Sequence, residues 1–301
     1  MPAAAPEPRA QRAPDPRMEP LGGGRLRVEW GPVSLVLAAR RAGGLAPGAL
    51  EAAGTRALEV LEELAAHRRL LAVDLRRIRN PRALPPATRA LVEAPRPFAE
   101  EAVTPLIAVA GVVADAVADC LAEQGATWVA VSNGGDVALR LAPGESASVG
   151  LVPRVDAPAP LARVRVTAGD GIGGVATSGF GGRSLTLGIA DAATVFAGRA
   201  GLADAAATLA ANAVWVDSPS VERVPAQTLD PETDLPGRLV TRRVGPLTEE
   251  EVEAALDRGA VWARARADEG LIRGAILSLR GRWRFVGWPG EGGLAMTDGK
   301  I

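Results

Sequence analysis

The sequence predicts an α+β fold of mainly antiparallel sheets with packed helices, and three observations predict it. Short runs of alternating apolar residues recur in pairs joined by glycine or asparagine turns. Longer segments carry helical periodicity or an alanine-rich composition. Sheet and helix in this order, with no internal repeat, suit segregated α and β elements.

Residues 1–22, rich in Ala, Pro and Arg and lacking the apolar core of a secretion signal, read as a disordered tail. Arg25–Trp30 alternates with period two, Gly31-Pro32 interrupts, and Val33–Leu37 resumes as the second arm of a hairpin. Leu50–Leu71 places Leu58, Leu61, Leu64 and Leu71 among glutamates and arginines, an amphipathic helix. Pro81, Pro85, Pro86, Pro95 and Pro97 punctuate a loop-rich crossing with a short helix around Thr88–Val92. Pro105 opens a helix over Leu106–Glu123 that Gly125 ends, and its Ala, Val and Gly content predicts burial.

Thr127–Val131 and Val137–Leu141 are expected to pair across Asn133-Gly134 in a type I′ turn. Strands follow at Ser148–Val152, Arg163–Val166, Ser184–Leu187 and Ala193–Phe196, then a helix over Leu202–Ala213. Pro219–Pro236 reads as loop and Arg238–Arg242 as strand. Thr248 with the acids after it starts a helix running to about Asp268. Leu271–Leu279 and Trp283–Val286 form a closing strand pair, and 289–301 is a Gly-rich flexible tail. Residues 23–288 are thus expected as one domain.

Composition narrows the chemistry. A chain of 301 residues with net charge −1 can bury a sizeable core and shows no basic stripe for nucleic acid. Lysine occurs once and tyrosine not at all, so arginine pairs such as Arg76-Arg77 read as compositional bias on a solvated face. Cys120 is the sole cysteine, which excludes an intrachain disulfide and a cysteine-cluster metal site. His67 is the sole histidine, which excludes a His-rich zinc site and a two-histidine iron site; its charged helical setting reads as surface. The apolar stretch Leu106–Ala122, broken by Asp115 and Asp119, is short for a membrane span, so the cytoplasm is the expected location and no membrane the expected partner.

Four strings carry candidate chemistry. Asp204 and Thr208, four apart on a predicted helix, project a carboxylate and a hydroxyl the same way, a hard-oxygen pair suited to Mg2+. From these residues alone the plainer reading is a charge complementing the helix N-terminus and a hydroxyl packed in an alanine-rich core. In Asn133-Gly134-Gly135-Asp136 a tight turn accounts for Asn133 and Gly134; Gly135 is extra, and glycine also admits a ligand against the main chain. Gly169–Ala176 contains a G-x-G-x-x-A match, but Thr177-Ser178-Gly179-Phe180-Gly181-Gly182 cannot open the helix that a dinucleotide fingerprint needs. That run instead suggests an anion loop, with glycine N–H groups, the Thr177 and Ser178 hydroxyls, and Arg183 beside Ser184 as a phosphate clamp. A flexible loop between strands is the plain alternative, and no P-loop string occurs.

These strings together resemble the FAD:protein FMN transferase (ApbE-like) superfamily. There a glycine-bearing helix, a G-G-D hairpin, a T-S-G loop and an A-D-x-x-A-T helix occur in this order. Here they correspond to Ala110-Gly111 through Asp115, Gly134-Gly135-Asp136, Thr177-Ser178-Gly179, and Ala203-Asp204 through Ala207-Thr208. A cytoplasmic branch of UPF-type proteins is more similar still, through Thr104-Pro105, Arg183-Ser184, Gly188, Ala211-Asn212-Ala213-Val214 and Leu239-Val240-Thr241. The resemblance implies an ApbE-like fold, a cleft for FAD or FMN that includes Gly111, and Mg2+ held by Asp204 and Thr208. Two departures matter: Ala110 stands where the transferases carry lysine, and Ser178–Asp204 lacks their histidine-containing H-x-x-D-P-x-x-G segment.

Three functions are therefore weighed. The first is a binding module for a flavin nucleotide or other phosphorylated metabolite, without covalent transfer. The second is a Mg-dependent FAD pyrophosphatase or FMN transferase, with Asp191 or Asp136 as the remaining candidate base. The third is an accessory protein in sulfur or homocysteine assimilation, for which Trp262, Trp283 and Trp288 would form an exposed patch unless they are core. A homodimer is compatible with each.

Overall fold

The computed structural model describes residues 15–31, 33–152, 162–182, 184–289 and 294–296. In chain order the N-terminal half holds β1 (Arg17–Pro20), β2 (Arg25–Trp30), β3 (Val33–Arg40), α1 (Ala49–Ala66), α2 (Arg68–Leu71), α3 (Pro86–Glu93), α4 (Val109–Glu123), β4 (Trp128–Asn133), β5 (Asp136–Leu141) and β6 (Ser146–Leu151). There follow β7 (Ala162–Thr167), β8 (Gly174–Ser178), β9 (Ala192–Ala197), α5 (Ala200–Ala213), β10 (Val221–Pro225), α6 (Ala226–Leu229), β11 (Leu239–Val244), α7 (Glu249–Asp268), β12 (Gly274–Leu279), β13 (Arg282–Gly287) and β14 (Leu294–Met296).

The α+β class is confirmed. A nine-stranded sheet runs β1-β2-β3-β4-β5-β8-β9-β12-β13, a three-stranded sheet β14-β7-β6, and a ribbon pairs β10 with β11. Every pairing is antiparallel. Strand alternation divides the core in two. Ala138, Val195, Ala275 and Leu277 face a layer of helices led by α1, α4, α5 and α7. Leu139, Phe196 and Ile276 face Val149, Val164 and Val166 of the small sheet. Strands β9 and β12, interior in the large sheet, are buried along their whole length and so are apolar apart from Thr194 and Ser278.

Several expectations change. Residues 17–20, read as tail, pair with β2, and residues 294–296 add an edge to the small sheet; residues 1–14 lie outside the described residues. The stretch around 184–187 is not a strand. Asn212 Oδ1 accepts from Leu187 N at 2.9 Å and the Thr186 carbonyl accepts from Thr241 N at 2.9 Å, so its backbone is satisfied without a ladder. Within the expected 219–236 loop, β10 and α6 form, because β11 supplies a partner strand. Gly174–Ser178, read as part of a loop, is strand β8.

The tryptophans are core-lining, as the plainer reading had it. Trp288 meets Phe196 edge-on with centroids 5.0 Å apart, and Trp262 lies 6.0 Å from Phe98. Pro105–Glu123 is long and apolar enough to cross a membrane by length and composition alone, and 56% of its apolar window is buried inside the protein, as in a core helix.

Candidate functional site

Helices α4 and α5 cross at their first turns. A Cβ on Gly111 would lie 2.2 Å from the Ala200 carbonyl oxygen, and one on Gly201 would lie 2.5 Å from a Val112 methyl, so only glycines permit the approach. Neither helix caps its own start: Ala108 and Arg199 stand at the N-cap positions without a side-chain bond. Each helix instead caps the other. Asp204 Oδ2 on α5 accepts from Gly111 N on α4 at 2.9 Å, and Asp115 Oδ2 on α4 accepts from Gly201 N on α5 at 2.9 Å. Two carboxylates thus satisfy orphan N–H groups at two positive helix ends.

The neighbours of these two acids differ. Asp115 is held by Arg140 Nη2 at 2.8 Å and Arg199 Nε at 3.5 Å, and Asp119 by Arg140 Nε at 2.7 Å and Arg199 Nη2 at 2.6 Å. Burial pushes the Asp119 carboxyl up, but the hydrogen bonds from Arg199 and Arg140 outweigh it and hold it below its ordinary value. Asp204 has no such partner. Among the described residues neither Asp204 nor Asp136 forms an ion pair.

Asp136 comes to Asp204 through the sheet. It shares the parity of Ala138 on β5, the helix-facing side, and its carboxylate accepts the Thr177 N–H. Burial pushes Asp136 up to about 7 against that bond. Burial pushes Asp204 well above the carboxylate range as well; the neighbouring Asp136 charge adds to this, and the Gly111 and Ala110 N–H groups only partly offset it. Two partly accessible carboxylates therefore repel each other at one spot. Beside them Thr208 Oγ1 lies 3.4 Å from Ser178 Oγ.

The convergence includes Gly111, Gly135, Asp136, Ser178, Asp204 and Thr208, and it revises several roles. Asn133 is an anchor: its Nδ2 donates to the Ala110 carbonyl at 3.2 Å and ties the end of β4 to the start of α4. The turn consists of Gly134-Gly135, because Asn133 pairs with Asp136. Gly134 has φ 67° and Gly135 is not in the positive-φ region, the pattern of a type II′ turn rather than the expected I′. A Cβ on Gly135 would come 3.2 Å from the Thr177 carbonyl oxygen, a tight contact that a small shift of the exposed turn relieves.

Strand parity splits the Thr177-Ser178 pair. Ser178 faces α5, whereas the Thr177 hydroxyl turns to the other face and bonds Thr194 Oγ1 at 2.9 Å. The glycines after them do not offer the expected anion nest. Phe180 N bonds Ala190 O at 2.7 Å, Gly181 N bonds Asp191 O at 3.0 Å, and Gly182 N bonds Gly179 O at 3.0 Å. Gly179 itself, at φ 142°, is there because a Cβ would lie 2.8 Å from the Asp191 carbonyl oxygen. Arg183 lies outside the described residues, and Ser184 is exposed.

Asp191 accepts from Arg280 N at 2.6 Å and holds the β12–β13 turn. His67 ends α1, with Nδ1 2.8 Å from the Glu63 carbonyl oxygen, and takes no part in the cluster. The sequence reading did not single out Arg140, Arg199 and Asp119. The signal was there, in charged residues set within apolar helix and strand runs.

The donor set fits a small hard cation. Among the described residues it offers carboxylate and hydroxyl oxygens, and neither acid forms an ion pair. Among the described residues no three of His, Cys, Asp and Glu group together, so a bound ion would keep several waters, as Mg2+ does. Two surface hollows of about 460 Å3 each lie elsewhere, one beside Gly24, Arg41 and Gly48, the other beside Thr127, Arg140 and Ile172. Neither borders Asp136 or Asp204.

Against known proteins, a family model described as "AbpE bacteria" matches residues 17–285. No curated protein matches the chain.

Proposed function

We propose that this chain, which belongs to that AbpE bacteria family, is a cytoplasmic binding module for a phosphorylated ligand, the flavin-nucleotide class being what the motif resemblance implies. Asp136 and Asp204, with the Ser178 and Thr208 hydroxyls, hold a divalent cation, and the cation meets the ligand's phosphate. The observation that carries this reading is the pairing of two carboxylates on the helix-facing side of the sheet, neither of which forms an ion pair among the described residues. Such a pair is relieved either by a proton or by a cation. Bound Mg2+ would neutralise phosphate charge at this point. The chain's own part is to fix the acids in place through the Gly111 N–H and the Thr177 N–H before any ligand arrives.

Thermal unfolding with FAD, FMN or ATP, each with and without Mg2+, tests the reading. Ligand near a hundred times its dissociation constant stabilises by about 2.7 kcal/mol. The shift should need Mg2+ and should vanish in Asp204→Asn. No shift with any of the three nucleotides under any divalent ion would refute it.

One observation favours a second, hydrolytic reading. An acid pushed up to about 7, as Asp136 is, lies where a general base works at neutral pH. FMN released from FAD with Mg2+, and lost in Asp136→Asn, would support hydrolysis; binding without turnover would leave the module.

A further inference from the structure

Arg223 on β10 carries a charge that nothing beside it balances. Its guanidinium carbon lies 4.7 Å from the centroid of the Trp215 ring. Its Nη2 donates to the Leu239 carbonyl at 2.5 Å, while Nε is buried without a hydrogen-bond partner. The adjacent Glu222 is committed to Arg242 at 3.1 Å and Arg243 at 3.3 Å. The charge that reaches Arg223 is that of a second cation, Arg238; burial first and this repulsion second hold the Arg223 guanidinium below its ordinary value. Among the described residues neither arginine forms an ion pair.

The Arg223 guanidinium is oriented by its contacts, and it reaches the backbone next to Arg238. Trp215 backs the flat face of the Arg223 guanidinium, and the Leu239 carbonyl fixes one edge. Arg238 stands exposed at the start of β11, its carbonyl accepting from Ala226 N at 2.8 Å. With Nε enclosed and Nη2 on the Leu239 carbonyl, the outer Nη edge of the guanidinium is the part that can meet a phosphate or carboxylate oxygen. We infer that Arg223 and Arg238, backed by Trp215, form a seat for an oxyanionic group of a ligand. Trp215 follows the end of α5, roughly 15 Å along the helix from Asp204 at 1.5 Å per residue. The seat is thus separate from the carboxylate pair and stands independently of the function proposed above.

Calorimetric titration of the full chain with inorganic phosphate, and separately with acetate, tests this. Phosphate should bind saturably; Arg223→Gln and Arg238→Gln should each weaken it about tenfold or more, and Arg77→Gln, at an exposed arginine elsewhere on the surface, should leave it unchanged. Preference for phosphate over acetate assigns the seat to a phosphoryl group, and the reverse preference to a carboxylate. A chain that binds neither anion, or binding that survives both arginine substitutions, overturns the inference. Should Arg223→Gln fail to fold, the exposed Arg238→Gln still decides.

Discussion

Replacing Gly111 by alanine should reverse the usual sign of that substitution. Inside a helix, glycine to alanine ordinarily stabilises by about 0.5–1 kcal/mol, because alanine loses less backbone freedom on folding. At Gly111 the new Cβ would lie 2.2 Å from the Ala200 oxygen, 2.5 Å from the Ala200 carbonyl carbon and 2.7 Å from Gly201 N. All three are backbone atoms and cannot rotate away. Restoring contacts of about 3.5 Å requires α5 to retreat by roughly 1 Å. That retreat stretches the Asp204–Gly111 and Asp115–Gly201 bonds, both 2.9 Å now.

Overpacking of this kind costs about 1–3 kcal/mol. Loss of one charge-assisted bond adds about 1.5–3 kcal/mol. Less the helix gain, the net destabilisation should be about 2–5 kcal/mol. Urea unfolding followed by circular dichroism reads this as a lower midpoint at constant slope. Gly135→Ala, whose Cβ would sit 3.2 Å from the Thr177 oxygen at an exposed turn, serves as control and should stay within about 1 kcal/mol. A Gly111→Ala chain as stable as wild type, or more so, would refute the close-crossing argument.

Two further outcomes are expected. Asp136 has a folded value of about 7 against 3.8 ordinarily, so the folded chain holds that proton more tightly. Its contribution to stability is full below pH 3.8 and is lost as the pH rises through 7, with Asp204 acting in the same direction. Unfolding free energies in chelator between pH 4 and 8 should therefore fall. Asp136→Asn should flatten the fall and raise stability at pH 8 by on the order of 1–4 kcal/mol, and an unchanged slope in that variant would count against the pairing. Asp115→Ala removes the cap of α5 and one of the two carboxylates that hold Arg140, whose side chain is only 17% exposed, leaving it Asp119 alone. It should cost about 2–4 kcal/mol in urea unfolding, from the lost cap and the lost charge-assisted bond, and a loss below about 1 kcal/mol would show that the network carries little.

Sequence periodicity was a good guide wherever burial is one-sided. The β2–β3 and β4–β5 hairpins, α4, α5 and α7 all lie close to where alternation, proline, glycine and the Thr248 cap put them. It misled where a distant partner decides the local shape. Gly174–Ser178 looks like the end of a flexible glycine run, yet its glycine exists for contact: a Cβ on Gly174 would lie 2.2 Å from Ala200 N. Ser184–Leu187 looks like a strand, yet Asn212 and Thr241 take up its backbone groups.

The site was legible in part for the same reason. Asp136, Ser178, Asp204 and Thr208 were found as short strings. That Asp204 caps another helix, and that Thr177 turns away from Ser178, depends on the crossing angle and sheet parity, which no local string encodes.

The mutual tie between Asp115 and Gly201, and between Asp204 and Gly111, has a consequence for how this chain can be recombined. Segments 109–123 and 200–213 form an exchangeable cassette only when inherited together. A chimera whose breakpoint falls between them would join a glycine notch to a foreign helix, and an acid to a terminus with another shape. Shuffling libraries built from related sequences should recover folded members chiefly when both segments come from one parent.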